Sequence, residues 1–125
     1  MTGMRMTDIL FIKTSSLGDV IHHMPAVTEA RRQYPDAHIA WVVEEAFAPL
    51  ARLHPGVSTV IPVASRRWRR APFAASTWRE VGAFRAAVRA RSYDAVIDTQ
   101  GLARTALIAR AARGTRYGYD TASVR

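Results

Sequence analysis

The 125-residue chain contains no cysteine and a single lysine, Lys13. Without cysteine there is no disulfide framework, no thiolate metal site and no cysteine nucleophile. That usage suits a reducing cytoplasm and is also met in secreted proteins. No stretch carries the Gly-rich phosphate loop ending in Gly-Lys-Ser/Thr or the three spaced glycines of a dinucleotide fingerprint. The first apolar run, Ile9 to Ile12, stops at Lys13 and is too short for a signal peptide or a membrane span, so the chain reads as soluble. There is no Gly-x-Ser-x-Gly elbow for a serine nucleophile. Of the 4 histidines, His22 and His23 are adjacent and point about 100° apart on a helix, while His38 and His54 lack ligand spacing, so no metal is expected. Internal repeats, low-complexity tracts and linkers are absent too.

Hydrophobic residues make up 49% of the chain, which excludes disorder and collagen-like structure and points to one globular domain. A domain of this length buries roughly two-thirds of its unfolded surface, enough for a core that needs no staple. Ile9 to Ile12 reads as a buried strand. A helix is expected next, with Val20, Ile21, Met24, Val27 and Ala30 on its apolar face and Pro25 starting or kinking its regular part. His38 to Val43 is a second strand, Phe47 to Leu53 a short helix, Val57 to Val63 a third strand and Ala64 to Pro72 a basic loop. Thr77 is expected to cap a helix through Arg91, with Glu80 completing a capping box and Val81, Phe84 and Val88 facing inward. Ala95 to Ile97 is a short strand, Leu102 to Ala112 a helix, and Arg116 to Tyr119 the start of a further strand. Strands alternating with helices predict an α/β fold with a doubly wound parallel sheet, buried on both faces.

Ligands bind such sheets outside the carboxyl ends of the strands. Three polar connections, Thr14 to Asp19, Ala64 to Pro72 and Asp98 to Arg104, each follow a strand and are expected to share that edge. In the first, Asp19 stands at a helix start, either as a cap that complements the helix dipole or as a general base that takes a proton from an attacking hydroxyl. In the second, Arg66, Arg67, Arg69 and Arg70 surround Trp68 and supply half of the +8 formal net charge. They read as a solvated loop, or as guanidinium forks whose mutual repulsion is relieved by a bound phosphate or carboxylate. A different class of partner is nucleic acid stacked on Trp68, or an anionic membrane surface. The remaining arginines and the many alanines also fit a GC-rich coding bias. In the third connection, Asp98-Thr99-Gln100-Gly101 is either a ligand edge, where glycine permits close approach, or a plain turn.

These segments resemble the lipopolysaccharide heptosyltransferases, in KTSSLGDVIHHMPAVTEA at 13–30, WVVEEAFA at 41–48, VIPVASRRWRR at 60–70 and SYDAVIDTQGLART at 92–105. The resemblance implies a Rossmann-like domain, the N-terminal, acceptor-binding half of a two-domain GT-B glycosyltransferase. It makes residues 1–125 a single domain, inactive alone because the nucleotide-sugar domain is not included. Residues 1–7 overhang the family's usual start and are expected as a disordered lead, with Met6 a candidate initiator. Asp19 takes the place of the catalytic base, deprotonating the 5-hydroxyl of the first Kdo (3-deoxy-D-manno-oct-2-ulosonic acid) residue of Kdo-lipid A. Attack on the anomeric carbon of ADP-heptose would then expel ADP with inversion, without metal or other cofactor. Arg66, Arg67 and Arg69 match the acceptor-gripping cluster, Arg70 stands where lysine is common, and Gln100 and Gly101 match the acceptor-side loop. Lys13, Thr14, Ser15, Ser16 and Gly18 match the loop that shapes the site. The implied setting is inner-core assembly, with peripheral contact at the cytoplasmic face of the inner membrane and no nucleic acid.

Overall fold

A computed structural model describes residues 7–99 and 108–118 of the chain. The elements are β1 (Asp8–Ile12), α1 (Leu17–Gln33), β2 (His38–Glu44), a 3-10 turn (Glu45–Phe47), α2 (Ala48–Arg52), β3 (Thr59–Val63), α3 (Ser65–Arg70), α4 (Ala75–Val88), β4 (Ser92–Asp98) and β5 (Arg113–Gly118). Residues 108–111 are helical ahead of β5. The five strands form one sheet in the order β3-β2-β1-β4-β5, and every neighbouring pair is parallel. The order runs outward from a central β1 in both directions. This is the doubly wound parallel sheet expected from the alternation of strands and helices, and the Rossmann-like arrangement that the resemblance implies.

Successive strand residues point to opposite faces, and each face has its own core. Ile9, Phe11, Ile39, Trp41 and Val43 pack with Val20 and Val27 of α1 and Ala48 and Ala51 of α2. Leu10, Ile12, Ala40, Val42 and Val96 pack on the other face with Val88 of α4, against partly buried Trp68 and Phe84. Both cores are needed, because β1 and β2 are apolar on both sides. β3 ends the sheet, and its Pro62 is exposed, in keeping with the confinement of proline to edge strands.

Several local expectations are corrected. Ala64–Pro72 is not a loop, since Ser65–Arg70 is helical. α4 begins at Ala75 behind an Ala74 cap, so Thr77 is a buried residue of its first turn and Glu80 is free for another use. Pro25 lies inside α1, which starts at Leu17. On α1 the inward row is Val20, His23 and Val27, and Ile21 is about half exposed. β4 extends three residues further toward the N-terminus than Ala95–Ile97, and β5 begins at Arg113. The expected helix at Leu102–Ala112 is seen only in its last turn, and its first residues lie outside the described ones. Thr7, expected in a disordered lead, donates to Asp94 from its N–H at 2.7 Å and its Oγ1 at 2.8 Å.

One glycine is needed for the sheet to close at β5. Gly114 has φ +147°, and a Cβ there would stand 2.1 Å from the Tyr93 carbonyl oxygen, a conformation and an approach that other residues do not tolerate. It pairs with Tyr93 just before the register shift between Tyr93 and Val96.

Candidate functional site

The carboxyl edge of the sheet is held together by main-chain bonds that extend the strand pairing into the connections. The Lys13 N–H donates to the Val42 carbonyl at 3.2 Å, Glu44 N–H to Thr14 at 3.0 Å and Thr99 N–H to Ile12 at 3.3 Å. Trp41, fully buried, donates its Nε1–H to the Lys13 carbonyl at 3.1 Å, which satisfies its one polar atom and pins the β1–α1 connection to β2. Residues 13, 14, 44 and 99 are therefore placed by rigid elements.

Asp19 sits in the first turn of α1 and is exposed. Its Oδ2 accepts from the Ser16 N–H at 3.3 Å and from Ser16 Oγ at 3.4 Å, the reach-back arm of a capping box. Both bonds are long and both fall on Oδ2, so Oδ1 is unengaged among the described residues. The capping and base readings are thus compatible in one side chain. Asp19, Lys13, His22, His23 and Thr99 line a cleft of about 180 Å³, across which Lys13 Nζ donates to the Thr99 carbonyl at 3.4 Å.

His23 is buried in the wall of this cleft, its ring 4.9 Å from those of Phe11 and Trp41. Its Nε2 finds no hydrogen-bond partner among the described residues. Burial, followed by the nearby Lys13 and His54 charges, lowers its pKa to about 4, so it is neutral at physiological pH.

A second cleft, of about 140 Å³, lies beyond Ser15 and is lined by Glu44, Ala46, Phe47, Ser65, Arg66 and Arg69. Ser65 Oγ donates to the Glu44 carboxylate, which ties the start of α3 to the end of β2. The arginine cluster is split by its surroundings. Arg67 is engaged by two carboxylates: bidentate to Glu45 at 3.0 Å for both contacts and to Glu80 at 2.7 Å. Glu80 also accepts from Trp68 Nε1 at 2.9 Å. The Trp68 bond, then Arg67, lowers the Glu80 pKa, while Glu45, then Glu80, raises that of Arg67. Arg66, Arg69 and Arg70 form no ion pair among the described residues and are exposed.

Arg67 is therefore held by carboxylates of this chain, whereas among the described residues Arg66, Arg69 and Arg70 are not. Glu44 and Glu45 escaped the sequence reading, although two glutamates at the end of a strand candidate, ahead of a basic run, were the available signal, and Glu80 was read only as a capping residue. Gln100 and Gly101 lie outside the described residues, whereas Thr14, Ser15, Ser16 and Gly18 are on the expected edge. Among the described residues no group of three His, Cys, Asp or Glu side chains converges to hold a metal ion, and no helix is long and apolar enough to cross a membrane.

Residues 81–124 match the family model for glycosyltransferase family 9, the heptosyltransferases. Lipopolysaccharide heptosyltransferase 1 of Escherichia coli is 49% identical over 118 residues, 94% of this chain and 37% of the relative. The Pseudomonas aeruginosa protein of the same name is 47% identical over 102 residues, 82% of this chain and 29% of that one. The chain thus spans about a third of the length of the curated relatives it matches. A solved structure of E. coli heptosyltransferase WaaC with ADP-2-deoxy-2-fluoro heptose superposes with a TM-score of 0.84 at 49% identity, covering 90% of this chain and 36% of that one. Over residues 81–124 by the family model, and over nearly the whole chain by sequence and fold, it is similar to the heptosyltransferases of glycosyltransferase family 9.

Proposed function

We propose that this chain is the acceptor-binding, N-terminal domain of a GT-B lipopolysaccharide heptosyltransferase, transferring heptose from ADP-heptose to the first Kdo of Kdo-lipid A with inversion. The observation that carries the reading is the arrangement, on a single sheet edge, of one carboxylate and two guanidinium groups that form no ion pair among the described residues. Asp19 lies in one cleft and Arg66 and Arg69 in the next, with Ser15 of the intervening connection lining the second.

In this mechanism Asp19 acts through its unengaged Oδ1. It accepts the proton of the acceptor hydroxyl as the oxygen attacks the anomeric carbon of the donor sugar. The carbon–oxygen bond to the diphosphate breaks and ADP leaves with the bonding pair. Ser16 holds the other carboxylate oxygen and fixes its direction, a positioning role. Arg66, Arg69 and Arg70 bind the carboxylate and phosphate groups of the acceptor as forks, and Arg67 orients α3 through Glu45 and Glu80. Gln100 and Gly101 complete the acceptor side. The donor is held chiefly by the second domain of such an enzyme, and the 125-residue chain alone is expected to transfer nothing. An acceptor of this kind sets the work at the cytoplasmic face of the inner membrane, with peripheral contact.

The test is a chimera in which this chain replaces the matching third of the E. coli relative. Asp19→Asn is expected to lower heptosyl transfer by roughly 10²- to 10⁴-fold, the range for loss of a general base, with the fold and acceptor binding retained. Near-normal turnover would refute the base assignment. An oligonucleotide that outcompetes a Kdo-lipid A analogue at physiological salt would refute the acceptor.

A further inference from the structure

We propose that the corner joining α3 to α4 is a membrane-docking surface, which lays Phe73 and Trp78 into the interfacial layer of an anionic bilayer while Arg79 and Arg85 meet its headgroups. Phe73 is 94% exposed and Trp78 61% exposed, and only four residues separate them. Two large aromatic side chains held in water so close together form a patch whose hydration a lipid interface removes. Trp78 suits the role because its Nε1–H is already satisfied by the Pro72 carbonyl at 2.7 Å. The ring leaves bulk water without stranding its donor. The corner is also preformed, by Ala71 N–H to Trp68 at 3.2 Å, Ala74 N–H to Ala71 at 3.2 Å and Trp78 N–H to Ala74 at 3.4 Å.

Charge selects the occupant. Arg79 and Arg85 are exposed and form no ion pair among the described residues, and Arg70 closes α3 three residues before Phe73. A second copy of this chain docking corner to corner would set these guanidinium groups against one another, whereas anionic headgroups neutralise them.

Position gives the docking its consequence. α3 follows the carboxyl end of β3 and α4 starts from the same edge, so the corner and the Arg66–Arg69 cleft share one rim. A bilayer against the corner faces the rim that would hold an acceptor headgroup. In that last step the inference rests on the proposed function.

The experiment is co-sedimentation of the 125-residue chain, at about 0.15 M salt, with phosphatidylethanolamine–phosphatidylglycerol vesicles or with phosphatidylcholine vesicles. Anionic vesicles are expected to shift tryptophan emission to the blue and protect it from iodide, a change that Trp78→Phe removes because Trp41 is fully buried and Trp68 packs on Phe84. Phe73→Ser is expected to reduce partitioning about tenfold or more, and Arg79→Gln and Arg85→Gln about fivefold each on anionic vesicles only. Leu53→Ser, an equally apolar change at an exposed site on the opposite edge, is expected to change nothing. Absence of anionic-vesicle binding, unaltered partitioning of Phe73→Ser, or a concentration-dependent dimer that Phe73→Ser dissolves would each overturn the proposal. Phe73→Ser in the chimera should leave transfer to a water-soluble Kdo acceptor unchanged. Vesicle binding without such transfer sinks the proposed function alone, and transfer without vesicle binding sinks the docking alone.

Discussion

His23 is where the fold carries its sharpest pH liability. The ring stands edge-on to Phe11 and tilted against Trp41, with one nitrogen unpartnered among the described residues, and its pKa falls from 6.5 to about 4 through burial first and the Lys13 and His54 charges second. In the unfolded chain the same ring titrates near 6.5, so between the two values the unfolded state binds the extra proton and stability falls as pH falls. Above 6.5 both states are neutral and nothing is lost. Over the whole window the gap corresponds to about 3 kcal/mol at about 1.4 kcal/mol per pH unit, and the part lost between pH 7 and pH 5 is about 2 kcal/mol.

The assay is urea unfolding of the 125-residue chain and of His23→Leu at both pH values. Leucine keeps the apolar contact and has no proton to bind. With a urea slope of roughly 1–3 kcal/mol/M, the native chain should lose on the order of 1 M more in its midpoint than His23→Leu over that interval. Other titrating groups, including His38 with its burial-lowered pKa, act in both proteins and drop out of the difference. Identical pH dependence in the two proteins would refute the assignment of a neutral, desolvated His23.

The split within the arginine cluster predicts a split in behaviour. Arg66→Gln and Arg69→Gln should each weaken binding of a Kdo-lipid A analogue by about tenfold, the effect of losing a charge-assisted hydrogen bond, with unchanged thermal stability. Arg67→Gln should mainly loosen α3 and alter Trp68 fluorescence, and isothermal titration with thermal melts separates the two patterns. At β5, Gly114→Ala should destabilise the chain by about 2 kcal/mol or more, since it meets both positive φ and the Tyr93 carbonyl; an unchanged denaturation midpoint would show that β5 pairs differently.

The fold was legible because it rests on continuous apolar runs. Ile9–Ile12 and His38–Val43 have no polar face, which only a sheet covered on both sides accommodates, and the intervening helices then set a parallel order. What escaped was decided by contacts distant in sequence. Thr77 and Glu80 have the spacing of a capping box, yet Glu80 does more by accepting from Trp68 and pairing with Arg67, and α4 starts two residues before Thr77. Ile21 and His23 compete for the inward side of α1, and the 3.6-residue period through Val20 and Val27 selects the histidine despite its polarity. The helical state of Ser65–Arg70 was hidden because four arginines in six residues suggest a solvated loop. Glu45 and Glu80 on one side and Phe84 beneath Trp68 supply what an isolated helix of that length lacks.

The same contacts sharpen the charge argument. A cluster of four arginines looked like a single anion trap, but the fold uses Arg67 to anchor the helix and thereby aims its neighbours. Arg66 and Arg69 line a cleft that also contains Glu44, whose carboxylate keeps its charge and has its direction fixed by the hydrogen bond from Ser65. With that bond lost, the carboxylate is free to turn toward Arg66 and Arg69 and to compete for them with an acidic ligand. Ser65→Ala should accordingly weaken acceptor binding although Ser65 carries no charge, whereas Ser65→Thr, which retains the hydroxyl, should restore it. An equal loss in both variants would mean that the size of the side chain, and not its hydrogen bond to Glu44, matters there.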